Sequence, residues 1–279
     1  MRPELDIADA RRVIEAALAE DVGSGDVTSS DVIPEDVRFR GVMRARHVMV
    51  IAGLPVAREV FRMVVPGASF QTLIEDGDEA PAGAILAEIE GPARGLLTAE
   101  RTALNLLQTL SGIATATRQY VQRIRGTNCI LLDTRKTIPG MRQLSKYATR
   151  CGGAQNHRMG LFDGILIKDN HIAVCGGIFE AVRKAKLAAR ELTIEVECDT
   201  LAQVREAMDA GVDIVLLDNM SLDELRQAVA IVGRRAKTEA SGGVTLETIA
   251  EIAATGVDFI SVGRITQSAP AADIGLDWN

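Results

Sequence analysis

The chain has 279 residues, of which 47% are hydrophobic and 25% are charged, and its formal net charge is −7. This length and apolar content allow one large domain or two moderate ones with an ample core, while the acidic balance excludes a general nucleic-acid surface. The four widely spaced cysteines form no C-x-x-C pair and no run approaches the ~20 apolar residues of a membrane helix, so we predict reduced thiols, no membrane association and a cytoplasmic location.

The N-terminal part of the chain is predicted to form a small α+β unit. Residues 23–29 are interpreted as a polar turn. The arginines that alternate with apolar residues in 37–46 are interpreted as the wet face of a strand rather than a binding site. The predicted elements are a helix over 9–20 with Asp9 as its cap and Gly23 as its stop, a strand over 37–46, a helix over 57–65, and strands over 68–74 and 84–90.

A long helical pattern covers 98–125, with a break predicted at Gly112, and after it the hydrophobic periodicity changes from helical to strand-like. Apolar strand-like runs then end near residues 132, 167, 197, 217, 240 and 262, with helical patterns between several of them. Repeated strand–helix units predict a parallel sheet or barrel, and six units fall short of a closed eightfold barrel. We therefore predict an open, incomplete α/β barrel over 111–267 and a separate N-terminal α+β domain over 1–110, with residues 268–279 packing back on it.

Charged residues and glycines directly follow the predicted barrel strands. In barrels of this kind, functional groups lie where a strand ends and the next loop begins. The residues at those positions are Asp133 with Arg135 and Lys136, then Lys168, Glu197, Asp218, Ser241-Gly242-Gly243 and Gly263. We expect these residues to converge on one rim of the barrel.

The cations among them indicate an anionic ligand. Arginine binds carboxylate or phosphate at two points and lysine adds a compact charge, so Arg135, Lys136, Arg158 and Lys168 together suit a ligand with several negative groups. Any one of them taken alone could instead form an ordinary ion pair with Glu197 or Asp218.

The acidic and glycine-rich strand ends suit the rest of such a ligand. The carboxylates of Glu197 and Asp218 suit Mg²⁺ or ribose hydroxyls. The glycines of Ser241-Gly242-Gly243, with Gly263, could seat a phosphate on backbone amides. The chain contains no Walker sequence and no G-x-G-x-x-G, which argues against nucleoside triphosphate hydrolysis and dinucleotide binding.

Several long motifs resemble one family. They are Glu20–Asp26, Glu100–Asn105, Asp133–Thr137, Asn156–Leu161, Lys168–His171 and Glu239–Gly243. In order and spacing they resemble the quinolinate phosphoribosyltransferases, also called carboxylating nicotinate-nucleotide pyrophosphorylases, and the resemblance runs essentially from end to end.

The resemblance implies a reaction and a set of roles. Phosphoribose would pass from phosphoribosyl pyrophosphate to quinolinate with Mg²⁺, giving nicotinate mononucleotide, pyrophosphate and CO2 in de novo NAD synthesis. The resemblance also implies an N-terminal α+β sandwich domain, an open α/β barrel, and a homodimer with shared sites or a higher oligomer. Quinolinate would be bound by Arg101 of the neighbouring subunit with Arg135, His157, Arg158 and Lys168, and phosphoribosyl pyrophosphate and the metal by Lys136, Glu197, Asp218, Ser241–Gly243 and Gly263. The catalytic residues implied are Lys136, Lys168, Glu197 and Asp218, the last two holding the metal through water and substrate.

Two departures and three alternatives accompany this interpretation. Gln267 stands where the family usually has histidine, in the segment that begins Gly263-Arg264, and Ile138 stands where threonine is common.

The first alternative is a paralogous molybdenum-transport-associated protein, which would lack the Lys168–His171 segment. A Schiff-base aldolase would use Lys168 as a nucleophile. A non-catalytic anion-binding module would not need carboxylates beside a phosphate seat.

Overall fold

The protein is described by a computed structural model that covers residues 3–188 and 191–278. Contacts divide the chain into two units. The first holds the described residues up to Arg118, Thr137–Gly153 and the described residues from Arg264, and the second holds Gln119–Lys136 and Ala154–Gly263. The domain boundaries expected from the sequence, 1–110 and 111–267, stay a prediction, and Met1, Arg2 and Asn279 lie outside the described residues.

Helices and strands alternate along the whole described chain. The elements up to the long helix are α1 (Ile7–Val22), α2 (Val27–Val32), β1 (Arg38–Ala45), β2 (Met49–Val50), α3 (Leu54–Val64), β3 (Ser69–Thr72), β4 (Glu79–Ala80), β5 (Ile85–Pro92) and α4 (Ala93–Arg123). Those that follow are β6 (Ile130–Leu132), α5 (Arg142–Gly152), β7 (Ile165–Ile167), α6 (Asp169–Cys175), α7 (Ile178–Leu187), β8 (Ile194–Cys198), α8 (Leu201–Ala210), β9 (Ile214–Asp218), α9 (Leu222–Val232), β10 (Lys237–Ser241), α10 (Ile249–Ala253), β11 (Phe259–Ser261), α11 (Arg264–Gln267) and β12 (Ile274–Trp278). None of the described helices is both long and apolar enough to cross a membrane.

The first helix begins earlier than its sequence pattern indicates. Asp6, rather than the predicted Asp9, caps α1, because its Oδ1 accepts a hydrogen bond from the Ala8 N–H at 2.8 Å. Gly23 ends the helix with a positive φ of 53°, as predicted. The predicted turn over 23–29 is only partly correct, since Asp26 accepts from the Ser29 N–H at 2.9 Å and starts the short helix α2.

An antiparallel sheet organises the first unit. Its strand order is β12-β1-β5-β3, and β2 pairs separately with β4. The arginines of β1 pair with carboxylates on the neighbouring strands, Arg40 with Glu88 at 2.5 Å and Arg44 with Asp277 at 3.1 Å. Exposed pairs of this kind contribute about 0 to 1 kcal/mol each, so the arginine row acts as a solvated strand face.

Gly112 does not break α4, contrary to the expectation from the sequence. The helix is continuous from Ala93 to Arg123. A Cβ at position 112 would overlap the carbonyl oxygen of Pro270, so glycine is required by the close approach of the C-terminal segment. The same segment is held by the Ala272 N–H, which donates to the carbonyl oxygen of Gln108 at 2.9 Å.

A side chain distant in sequence caps helix α3. Gly53 precedes the helix and offers no side chain, but Asp76 accepts from the N–H groups of Gly53 at 2.6 Å and Leu54 at 3.1 Å. The Tyr147 hydroxyl also donates to Asp76, at 2.7 Å. Burial raises the pKa of Asp76, while these three donors act in the opposite direction.

We expect Asp76→Ala to lower the free energy of unfolding by about 2 to 4 kcal/mol, because two helix N-terminal amides and a phenol lose their acceptor. Tyr147→Phe is the matched control, since it removes only the phenol hydrogen bond and should cost about 1 kcal/mol. Urea denaturation of both variants measures the difference. Equal losses would show that Asp76 does not act as the cap of α3.

The second unit contains an open parallel barrel. Its six strands follow the order β6-β11-β10-β9-β8-β7, and all neighbouring pairs are parallel. The strands β6 and β7 form the two edges, so the barrel is not closed. Each strand ends at the predicted residue or one residue from it. The predicted α/β fold class is therefore confirmed.

Strand alternation decides which residues enter the barrel. In β8 the buried residues Ile194, Val196 and Cys198 share one face, which places Glu195 and Glu197 together on the other.

The four cysteines are free thiols, and burial raises the pKa of Cys129 and Cys198 to about 12. These thiols stay neutral and inert at physiological pH.

Candidate active site

A cavity of about 650 Å³ opens at the carboxyl ends of the barrel strands. Residues from the ends of several strands line it, as expected for a parallel barrel. Ten residues singled out in the sequence are among them: Arg135, Lys136, His157, Arg158, Lys168, Glu197, Asp218, Ser241, Gly242 and Gly243. We call this cavity the rim pocket.

Asp133 holds the segment that carries His157 and Arg158. Its side chain is fully buried; Oδ1 accepts from the backbone N–H of His157 at 2.9 Å and Oδ2 accepts from Nδ2 of Asn156 at 2.6 Å. Gln155 also pairs in parallel with Leu132 at the end of β6. These bonds extend the open edge of the sheet and place His157 and Arg158 at the rim pocket.

Two arginines of the rim pocket lie close enough to affect each other. Burial lowers the pKa of Arg158, with Arg135 as the second cause, and the charges of Glu195 and Asp163 oppose the shift. Nη1 of Arg158 donates to the carbonyl oxygen of Gly164 at 3.0 Å, which fixes the guanidinium. Neighbouring arginines repel each other until an anion enters, so this arrangement favours a ligand with carboxylate or phosphate groups.

Lys168 forms an ion pair inside the rim pocket. Its Nζ donates to Oε2 of Glu197, and its backbone N–H donates to Nδ1 of His171 at 2.9 Å at the start of α6. An ammonium bound to a carboxylate serves as a charge, whereas a Schiff-base nucleophile needs a neutral amine. The structure therefore favours anion binding over aldolase chemistry for Lys168.

The loops after β9 and β10 depend on each other. Asp218 accepts from Nδ2 of Asn219 at 2.6 Å, and the N–H of Asn219 donates to the carbonyl oxygen of Ser241 at 3.0 Å. Asn219 adopts a positive φ of 54°, and Gly242 has φ of 92° at a place where a Cβ would overlap the Asn219 side chain. Glycine is therefore required at 242 for the two loops to meet beside the pocket.

The remaining predicted residues lie outside the lining of the rim pocket. Gly263 is beside it, because a Cβ there would lie 2.9 Å from Cδ of Lys136. Arg101 is exposed on α4 and belongs to the first unit. Arg264 and Gln267, whose roles the sequence leaves open, begin and end α11, also in the first unit.

Two glutamates of this region were not identified from the sequence. Glu195 on β8 and Glu239 on β10 are buried, and both line a second cavity of about 460 Å³ on the inner side of the barrel strands. His157 and Glu239 line both cavities. The signal was available, since a charged residue two positions before Glu197 in an alternating strand must share its face.

The carboxylates at the rim fit a magnesium ion held indirectly. Glu197 and Asp218 end neighbouring strands and offer hard oxygen atoms, which Mg²⁺ prefers. Since Lys168 already occupies Oε2 of Glu197, contacts through water or substrate fit this donor set better than a cage of protein ligands.

Fold and site together define an open-barrel enzyme that acts on polyanionic substrates. Comparison with known proteins supports this class and narrows it. The quinolinate phosphoribosyl transferase N-terminal domain matches residues 26–111, and the C-terminal domain of the same family matches residues 113–277. The chain belongs to the quinolinate phosphoribosyltransferase family.

Relatives match over nearly their full length. A probable nicotinate-nucleotide pyrophosphorylase [carboxylating] of Bacillus subtilis is 43% identical, covering 96% of this chain and 92% of that protein. The Mycobacterium leprae nicotinate-nucleotide pyrophosphorylase [carboxylating] is 44% identical, covering 96% of each. The solved structure of the nicotinate-nucleotide pyrophosphorylase from Francisella tularensis has a TM-score of 0.96 at 42% identity, covering 99% of this chain and 98% of that one.

Proposed function

We propose that the rim pocket transfers phosphoribose from phosphoribosyl pyrophosphate to quinolinate and releases CO2. The chain is a quinolinate phosphoribosyltransferase of the decarboxylating kind and acts in NAD biosynthesis. The observation that carries this function is the meeting of four cations with Glu197 and Asp218 in one pocket. The cations suit a dicarboxylate and a pyrophosphate, and the carboxylates suit the ribose between them.

The quinolinate side of the site comprises Arg135, His157, Arg158 and Lys168. The repulsion between Arg135 and Arg158 is relieved when adjacent carboxylates of the substrate enter between them. Lys168 then exchanges or shares its contact with Glu197, which couples the two halves of the site. Arg101 of the partner subunit completes the clamp.

The phosphoribosyl side comprises Lys136, Glu197, Asp218 and the loops of Ser241–Gly243 and Gly263. Backbone amides of the glycine loops and the Lys136 ammonium bind phosphate oxygens. Glu197 and Asp218 would hold Mg²⁺ through water and substrate, and the bound ion would supply positive charge beside the pyrophosphate.

The reaction needs no covalent enzyme intermediate. The pyridine nitrogen forms a bond to C1 of the ribose while the bond from C1 to pyrophosphate breaks, and positive charge develops on the sugar ring. Glu197 and Asp218 stabilise that charge electrostatically. Loss of the carboxylate next to the new pyridinium leaves its electron pair on the ring carbon, which takes a proton from solvent, so the pyridinium acts as the electron sink.

A homodimer and a cytoplasmic location complete the proposal. The support for a dimer is the exposure of three large apolar side chains of the second unit, Leu161 at 75%, Phe162 at 73% and Val174 at 88%. A second copy that covered these side chains would remove their apolar surface from water, which favours association. A second copy of the chain is the partner that the family resemblance implies, since Arg101 would serve the site of the neighbouring subunit.

Incubation of the purified protein with quinolinate, phosphoribosyl pyrophosphate and Mg²⁺ is expected to give nicotinate mononucleotide with equal amounts of pyrophosphate and CO2. Nicotinate replaces quinolinate in the control, and we expect little product because one carboxylate cannot satisfy a clamp built for two. Chromatography and trapping of CO2 measure the products. Absence of nicotinate mononucleotide with folded protein and all three components would refute the function.

A further inference from the structure

A buried carboxyl pair lies beneath the rim pocket. The glutamates Glu195 and Glu239 are 4% and 1% exposed and flank the middle strand β9 from β8 and β10. Oε1 of Glu195 and both carboxyl oxygens of Glu239 accept no hydrogen bond of standard geometry within the described residues. Two buried carboxylates so close together are costly when both are ionised, so the polar groups that face them decide how the pair is stabilised.

His157 bridges this pair to the rim pocket. Its Nε2 lies 3.1 Å from Oε2 of Glu195 and 3.6 Å from Oε2 of Glu239. Its Nδ1 accepts the backbone N–H of Arg158 at 2.7 Å. A ring nitrogen that accepts from an amide carries no proton, so the proton of a neutral His157 resides on Nε2 and points toward the carboxyl pair.

The charges around Glu239 favour a proton on that side chain. Burial, with Glu195 as the second cause, raises the pKa of Glu239 to about 7, while His157 and the Ser261 hydroxyl act in the opposite direction. A protonated Glu239 can donate to Glu195 and removes the repulsion between the two carboxylates. The charge of Glu195 also acts on Arg158, where it opposes the lowering of the pKa of the guanidinium.

We propose that Glu195 and Glu239 are positioning residues: the Glu239 carboxyl group donates to Glu195, and Glu195 accepts from Nε2–H of His157 and so fixes that tautomer. This role rests on the proposed binding of quinolinate in the rim pocket. Both ring nitrogens of His157 are then bonded within the protein, so His157 shapes the pocket as a neutral ring. The carboxylates of quinolinate then bind to Arg135, Arg158 and Lys168. Before substrate binds, the charge of Glu195 reduces the repulsion between the two arginines.

Nuclear magnetic resonance of the full chain labelled with ¹⁵N-histidine tests the tautomer directly. The chain has three histidines, and the His157 signals are assigned as those lost in His157→Gln. Near neutral pH we expect His157 to show a protonated Nε2 and an unprotonated Nδ1. A protonated Nδ1, alone or together with a protonated Nε2, would overturn the proposal.

Kinetics of three variants test the hydrogen bond that Glu239 donates to Glu195. Glu195→Ala and Glu239→Ala should each raise the KM for quinolinate about tenfold, with a smaller change in the KM for phosphoribosyl pyrophosphate. In Glu195→Ala, His157 loses the acceptor of its Nε2–H. In Glu239→Ala, Glu195 loses the donor that Glu239 provides. Glu239→Gln should restore most of the loss of Glu239→Ala, since a neutral amide of the same shape donates as the acid does.

The outcomes separate the inference from the proposed function. If Glu239→Gln raises the KM for quinolinate as much as Glu239→Ala does, Glu239 acts as an anion. The proposed hydrogen bond from a protonated Glu239 to Glu195 is then overturned. If either alanine variant fails to fold, as judged by its thermal transition, the tautomer of the wild-type chain and the Glu239→Gln kinetics still decide. A wild-type chain that forms no nicotinate mononucleotide refutes the function, whereas an active chain with the wrong tautomer refutes this inference alone.

Discussion

Replacing Asp218 with asparagine is expected to raise the activation free energy by about 2 to 4 kcal/mol, which lowers kcat about 30- to 1000-fold. The physical reason is the loss of a negative charge beside the sugar ring as positive charge develops on it. The proposed function assigns Asp218 to the phosphoribosyl side of the pocket, so the KM for quinolinate should change by less than about threefold. Steady-state kinetics with each substrate varied in turn measures both quantities.

Glu197→Gln should differ from Asp218→Asn in a way that the structure explains. It removes a charge of the same kind and should lower kcat to a similar degree, but it also removes the ion-pair partner of Lys168. The KM for quinolinate should therefore change more than in Asp218→Asn. Asp199→Asn is the matched control, because Asp199 is exposed just after β8 and does not line the rim pocket. A weakened quinolinate affinity with unchanged kcat in Asp218→Asn would refute the assigned role.

Arg101→Ala and Lys168→Ala homodimers should each be nearly inactive, and mixing them should restore activity. Each variant lacks one clamp residue in both sites if Arg101 serves the partner subunit. The proposed two-fold interface would use the same patch twice, so each subunit would lend one Arg101 and receive one. Random pairing gives about half heterodimers, each with one intact site and one site lacking both residues. Activity per subunit should then reach roughly a quarter of the wild-type value.

The exchange of subunits must be shown independently of activity. Two different affinity tags allow heterodimers to be isolated after dissociation and reassociation, and each variant carried through the same steps alone serves as the control. A mixture that contains heterodimers but stays inactive would place Arg101 in the site of its own chain. The shared-site proposal would then fail, while the residue roles within the rim pocket would be unaffected.

Much of the candidate site could be predicted because its signals are local. The apolar runs that form β6 to β11 are short and are followed by charged residues or glycines, and the ends of these runs place Glu197 and Asp218 near strand ends. Since parallel strands end at the same rim, residues such as Lys168 and Ser241 could be brought together without knowledge of their contacts. The roles of these residues in binding and catalysis stay a prediction.

Errors in the predicted elements arose where a contact between distant residues replaced the local signal. Gly112 suggests a helix break by itself, but the approach of Pro270 makes glycine necessary inside a continuous helix. Residues 137–153 follow a barrel strand in the chain, yet their contacts group them with the first unit. Composition and periodicity describe one segment at a time and carry no information on which distant segment covers it.

The amino-acid sequence by itself determined the open parallel barrel, the charged residues at its strand ends and the family to which the chain belongs. Only the tertiary structure decided that Asp76 caps α3 and that Glu195 and Glu239 meet His157. Glu195 and Glu239 lie on strands separated by β9, and His157 reaches them from a loop held by Asp133. The protonation of buried groups depends on such distances and on the exclusion of water, and both quantities exist only once the chain has folded.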